Sequence, residues 1–274
     1  MQTRILGVCS RLEAAEELID KCRELAGRLS AGVTLLYVKE EGLFELPIYE
    51  GREATMEAAR EHLESLLQNR GIEGWALLVR ENDLPDQAAL EANRESSLLM
   101  VADRNDELPE LLSEAKRPLY VLAPGRSHAP ERGLIVLDVA GVGHRCLDLA
   151  RKVEPQVSWR AYMDYQFFPT VADAGIDPVV GAMTPEILIE QESDILQTHR
   201  RNFEDFCREE GLEGLFEVGE HGVERDVLDR LESEESDLLV IAAEDPETIL
   251  GEGAKALILS APVDTLVCFD LPRE

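Results

Sequence analysis

A block of sequence written twice constrains this chain more than its composition does. Gly71-Ile72-Glu73-Gly74 returns 140 residues later as Gly211-Leu212-Glu213-Gly214. At the same offset, Glu95-Ser96-Ser97-Leu98-Leu99 becomes Glu235-Ser236-Asp237-Leu238-Leu239. Two separate matches at one spacing mark a duplicated folding unit, and each Gly-x-Glu-Gly block falls between a helical pattern and an apolar run. Gly71 and Gly211 are therefore expected as helix C-caps, where a left-handed residue ends the helix.

The rest of each unit has the same grammar. Ile5-Leu6-Gly7-Val8-Cys9 and Leu134-Ile135-Val136-Leu137-Asp138 read as buried strands. An amphipathic helical stretch follows each, at 13–29 and 144–153, and then a second strand at 33–38 and 157–162. Strands separated by helix-period segments are βαβ units, which form parallel sheets. Final strands are expected at 118–122 and 265–269, giving about five strands and four helices per unit. The turn-forming stretch Ala-Pro-Gly-Arg-Ser-His-Ala-Pro at 123–130 separates the units. The expected organisation is a first domain at 1–124, a linker at 125–131 and a second domain at 132–274. Each is an open parallel α/β sheet with helices on both faces, and ligands would enter at the carboxyl ends of the strands.

Composition excludes several partners. The chain has 274 residues and a formal net charge of −29, with 45% hydrophobic residues, so it can fill real cores. Such a charge opposes approach to nucleic acid or to an anionic bilayer, both of which need clustered Lys and Arg. Both halves are acidic, which reads as solvated carboxylates on helix faces, with a salt-rich cytoplasm or a basic protein partner as the other readings. Five scattered cysteines without a C-x-x-C pair fit reduced thiols in a cytoplasm. No membrane span is expected, because the apolar runs are far shorter than ~20 residues.

The order β-α-β-α-β-α-β-α-β, together with particular residues of the second half, resembles the universal stress protein family in its tandem form. The resemblance covers about 3–123 and 132–270. Leu134 to Asp138 is similar to the family's first strand, ending in the aspartate that meets adenine. Phe216-Glu217-Val218-Gly219 is similar to its third strand and Asp237 to Ile241 to its fourth, while the run from Gly251 through Ala261-Pro262 to Val267 is similar to its last helix and strand. The resemblance implies a fold of the adenine nucleotide alpha hydrolase type, with Asp138, Gly219, Gly251 and Gly253 near any ligand pocket of the second half. It also implies a pseudo-dimer of the two units through their final strands, and hydrophobic sheet edges that favour burial add a homodimer of whole chains.

The family's phosphate loop, G-x2-G-x9-G-[ST], wraps the anion in backbone N–H groups. Here the matching segment runs from Ala242 to Gly253 and keeps only its final glycine, Gly251, with Glu252 in the place of the hydroxyl residue. Glu244, Asp245, Glu247 and Glu252 would face a triphosphate with like charge. In the first half, Val101 to Glu107 contains no glycine, and Cys9 stands where Asp138 stands in the second. No cofactor is therefore expected, and ATP or AMP would bind, if at all, in the second unit. The chain is read as a non-catalytic regulatory or adaptor module in a cytoplasmic stress response, with any ATPase activity weak and confined to the second unit. The alternative reading is a sensor of an adenine nucleotide or a small apolar ligand.

Other constellations carry less. Gly141-x-Gly143 after a strand imitates a dinucleotide fingerprint, with Asp164 near the end of the next strand, but Cys146 occupies the third position. A tight strand-to-helix turn accounts for it, and Asp138 serves equally well as a helix cap. Cys9 reads as a small buried residue or as a low-pKa thiol. The five histidines lack metal-ligand spacing. Carboxylates are too abundant for any catalytic pair to stand out. Between the first strands and the Gly-x-Glu-Gly blocks the offset grows from 129 to 140, so the second half carries eleven extra residues. They fall in the segment 162–185, whose Tyr165, Phe167 and Phe168 are candidates for a lid or partner surface or a cover over the domain's own core.

Overall fold

The computed structural model describes residues 3–39, 52–94, 97–125, 129–137, 143–165, 185–219, 222–243 and 252–269. In the first half β1 (Arg4–Cys9) is followed by a 3-10 turn (Leu12–Ala14), α1 (Ala15–Leu29) and β2 (Gly32–Lys39). Then come α2 (Arg52–Asn69), β3 (Ala76–Glu81), α3 (Leu84–Arg94), β4 (Leu99–Asp103), α4 (Leu108–Ala115) and β5 (Leu119–Leu122). The second half repeats the order with β6 (Arg132–Leu137), α5 (Gly143–Val153), β7 (Ser158–Tyr165), α6 (Pro185–Glu210) and β8 (Glu213–Val218). It closes with α7 (Val223–Ser233), β9 (Leu238–Ala243), α8 (Glu252–Ser260) and β10 (Asp264–Phe269).

Within each half the strands are parallel, in spatial order β3-β2-β1-β4-β5 and β8-β7-β6-β9-β10. The two five-stranded sheets merge into one, because β5 and β10 pair antiparallel with Leu266 opposite Tyr120. A two-fold-like repeat thus generates a ten-stranded sheet ordered β3-β2-β1-β4-β5-β10-β9-β6-β7-β8.

Central strands are buried on both faces, which is why they read as unbroken apolar runs rather than alternating ones. Alternation appears in what each residue touches. Ile5, Cys9, Leu35, Val101, Tyr120, Ile135, Val240 and Leu266 pack beneath α1, α2, α5 and α6. Leu6, Val8, Leu36, Met100, Val121, Leu134, Ile241 and Val267 pack beneath α3, α4, α7 and α8. Each layer runs continuously through both halves.

Gly71 and Gly211 have φ of 63° and 66°. Ile72 N donates to Leu67 O at 3.0 Å, and Leu212 N to Cys207 O at 2.8 Å, so both blocks end their helices in the same left-handed cap. The first-half stretch at 13–29 is split, with a 3-10 turn preceding α1. In the second half β7 extends to Tyr165 and α6 begins at Pro185, so the segment 162–185 contributes to both elements. Phe167 and Phe168 lie outside the described residues. Among the described residues no helix is long and apolar enough to cross a membrane.

Candidate ligand crevices and the seam

In each half the strand order reverses between the first and fourth strands, and the crevice outside their carboxyl ends is the natural ligand position of a doubly wound sheet. In the first half this is the gap between β1 and β4. Arg11, just past β1, spans it: its Nε donates to Asp103 Oδ2 at 2.9 Å, its terminal nitrogen pairs with the same oxygen, and it reaches Arg104 O at 3.1 Å. Asp103 is buried at the end of β4, where its charge is satisfied by this guanidinium. Cys9 lies buried alongside, its thiol pushed up to about 12 by burial and then by Asp103. That thiol is protonated at neutral pH, the opposite of a reactive thiolate. After β4, Asn105 Oδ1 accepts from Glu107 N at 2.9 Å, turning the chain straight into α4.

In the second half, Asp138 and Gly251 lie outside the described residues. Gly219 follows β8, and two strand spacings, roughly 10 Å, separate β8 from β6. Gly219 N donates to Tyr165 O at 3.1 Å, and a Cβ at Gly219 would collide with the Asp164 carboxylate. The chain crosses Asp164 there only because no side chain intervenes. Gly253, in the first turn of α8, faces Val223 at the start of α7, 3.1 Å from the position of a Cβ. The glycines thus sit at two different packing contacts, with Gly219 toward the outer strands. Tyr165 is buried, stacked on Phe216 with ring centroids 6.0 Å apart and tilted over His199 at 5.3 Å.

Two polar clusters that sequence reasoning missed are more elaborate. On the α7 face, Tyr162 Oη donates to Glu217 Oε2 at 3.2 Å, and Arg230 donates to Glu217 Oε1 at 2.8 Å while lying 5.5 Å from the Tyr162 ring centroid. Burial first, then Asp164 and Glu217, raises the Tyr162 phenol and keeps it protonated. The second cluster lies at the seam between halves. Glu154, 2% exposed at the end of α5, accepts from Lys21 Nζ at 2.5 Å and from Tyr120 Oη at 3.3 Å, and pairs with Arg28. Tyr120 Oη is 3.0 Å from Asp264 Oδ2, and Asp264 Oδ1 accepts from Ala123 N at 2.8 Å. Lys21 Nζ also stands 4.7 Å from the Tyr120 ring centroid. Arg104 extends the seam by donating to Val263 O at 2.9 Å. Lys21, Arg28 and Tyr120 come from the first half, and Glu154 and Asp264 from the second. The positive charge of Lys21, on an otherwise buried face of α1, was the one signal that could have flagged this cluster in sequence.

Among the described residues no group of three or more His, Cys, Asp or Glu is placed to hold a metal ion. A groove of about 660 Å³ opens at the amino-terminal ends of β9 and β10, floored by Leu228, Leu231 and Val263 and rimmed by Asp229, Glu232 and Glu235. A smaller one of about 310 Å³ lies beneath α7, where Arg160 and Arg230 are already paired with Glu234.

Strand order and the two helix layers define a doubly wound α/β fold, duplicated within one chain, and it is the fold of solved universal stress proteins. The chain is similar to a solved universal stress protein from Archaeoglobus fulgidus, at 15% identity and TM-score 0.59, over 96% of each chain. It is similar also to a protein of unknown function from Pseudomonas aeruginosa PAO1, at 15% identity and TM-score 0.62, over 98% of this chain and 92% of that one. At that identity the likeness is one of fold. No protein-family model matches the chain, and no curated protein matches it.

Proposed function

We propose that the chain is a tandem universal stress protein acting as a non-catalytic regulatory or adaptor module in a cytoplasmic stress response, without ATP bound in the family's usual way. The observation that carries this reading is the Arg11–Asp103 pair across the β1–β4 crevice, which occupies with protein charge the place where a phosphate loop would open. The second unit supports it through its residues: Glu244, Asp245, Glu247 and Glu252 crowd the segment that would meet phosphates. A homodimer of whole chains belongs to the same reading, because β3 and β8 end the sheet.

The test is a melting scan with Mg-ATP, with AMP and without ligand. A nucleotide present at 100 times its Kd stabilises a fold by about 2.7 kcal/mol. Absence of any shift supports the adaptor. A shift that Asp138→Ala abolishes overturns it in favour of a sensor built on Asp138, Gly219, Gly251 and Gly253. Sedimentation at several concentrations reads the oligomeric state.

A further inference from the structure

The duplication gives the seam a symmetry to be compared with. β1 and the start of α1 correspond to β6 and the start of α5 at an offset of 128, where Leu18, Cys22 and Leu25 match Cys146, Ala150 and Val153, all buried. At that offset Lys21 matches Leu149, and Ala26 matches Glu154. β5 and β10 meet on a pseudo-two-fold axis at Tyr120 and Leu266, because the pairs Leu119–Val267 and Val121–Thr265 exchange under it, and Asp264 then matches Pro118. The ion pair of Lys21 with Glu154 therefore has Leu149 and Ala26 at its symmetry-equivalent place, both apolar and packed against the core. The polar contact breaks the symmetry. Its donors Lys21, Arg28 and Tyr120 belong to the first half, and their acceptors Glu154 and Asp264 to the second.

We propose that the seam recognises an unlike half and rejects a like one: the surface of α1 and β5 takes as its partner the surface of α5 and β10, whether of its own chain or of a second copy. Backbone pairing does not choose between partners, since an edge strand such as β5 or β10 offers the same hydrogen bonds to any strand. Buried charge does choose. Two first halves joined here would set each Lys21 against Ala26, with Glu24 at 3.2 Å as its remaining carboxylate, and would give Tyr120 neither Glu154 nor Asp264. Two second halves would bury both copies of Glu154 and Asp264 without Lys21, Arg28 or Tyr120. A buried charge that loses its partner stays desolvated, so each like pairing is penalised at both of its symmetry-related places.

The test uses the full chain with about twenty Gly and Ser residues inserted after Gly125, which lets a half reach a second copy because a flexible segment of that length spans about 25 Å. Lys21→Leu leaves Glu154 without its lysine, and Glu154→Ala leaves Lys21 without its buried carboxylate. When these two variants exchange halves, one seam regains Lys21 with Glu154. The other brings Leu and Ala together, reproducing the residues at the symmetry-equivalent place, Leu149 and Ala26. The variants, one of them labelled with nitrogen-15, are unfolded in urea, refolded alone or together, and read by native mass spectrometry and circular dichroism melts. The mixed dimer is expected to exceed either self-dimer at least tenfold, and the mixture to melt above both variants refolded alone. A variant that folds only in the mixture gives the same answer. Lys21→Leu/Glu154→Ala in one chain, mixed with the wild type carrying the same insertion, loses both matches on exchange and is expected to form at least tenfold less mixed dimer. Mixed and self-dimers in statistical proportion, no mixed dimer from the two single variants, or as much of it from the double variant with the wild type would each overturn the selectivity of the seam.

Discussion

Glu154→Ala tests whether the seam holds the two halves together through charge. Glu154 is 2% exposed and is the shared acceptor for Lys21, Arg28 and Tyr120. Removing it leaves Lys21, 9% exposed, with Glu24 at 3.2 Å as its remaining carboxylate partner. Breaking a buried pair by deleting one member costs roughly 3–5 kcal/mol, since the other charge stays desolvated. Glu24 recovers part of this, so about 3 kcal/mol is expected. For a chain of 274 residues the unfolding entropy is about 0.6 kcal/mol per kelvin, which converts that loss to a melting shift of about 5 °C. Scanning calorimetry and urea unfolding should agree on the loss. It should change little between 0.05 and 0.5 M salt, because a buried pair is poorly screened. Lys21→Met/Glu154→Met removes both charges and should be less destabilised than Glu154→Ala alone. A Glu154→Ala shift below 1 °C, or a double variant that loses the sum of both single changes, would refute the claim that the pair is a buried, coupled lock.

Three further outcomes are expected. Gly219→Ala should destabilise by about 1–3 kcal/mol in urea unfolding, because its Cβ meets Asp164, and Asp164→Ala in the same chain should restore most of the loss. All five cysteines are buried, with the Cys9 thiol pushed up to about 12 and that of Cys207 to about 11 by burial, so at pH 8 Cys207 is about one part in a thousand thiolate. A colourimetric thiol titration should therefore find less than one reactive group within minutes in the native protein and five after unfolding. Glu210 is pushed up by burial but pulled below the ordinary glutamate range overall by hydrogen bonds from His144 and Arg151. A carboxylate with a lowered folded value contributes stability above its unfolded value and loses it as pH falls through the folded one. The stability gap between the wild type and Glu210→Gln should thus be full above about pH 5 and close toward pH 3. A gap that stays constant across that range would exclude the pairing.

Much of the candidate site stayed beyond the reach of sequence for particular reasons. The family resemblance put Gly219 and Gly253 near a ligand pocket, but what lies against them is Asp164 and Val223, residues distant along the chain. Arg11 and Asp103 are ordinary surface-type residues until β1 and β4 become neighbours, and an ion pair across 92 positions leaves no local pattern. The groove was hidden for a related reason: Asp229 and Glu232 look like any solvated helix face until Leu228 and Val263 are seen beneath them.

Two matched blocks 140 residues apart, helix-period segments between apolar runs and a glycine past each long helix were enough to specify a duplicated α/β unit with parallel strands. These signals are local, and secondary structure with its caps is set by neighbouring residues. Tertiary structure decided that the two sheets are one, that each apolar layer is shared by both halves, and that Lys21 and Glu154 meet. It also decided that Ala88 and Ala92 of α3, and Val227 and Leu231 of α7, turn their buried faces to the same apolar layer. Such choices depend on which buried surfaces and charges find each other across more than a hundred residues, and only packing settles that.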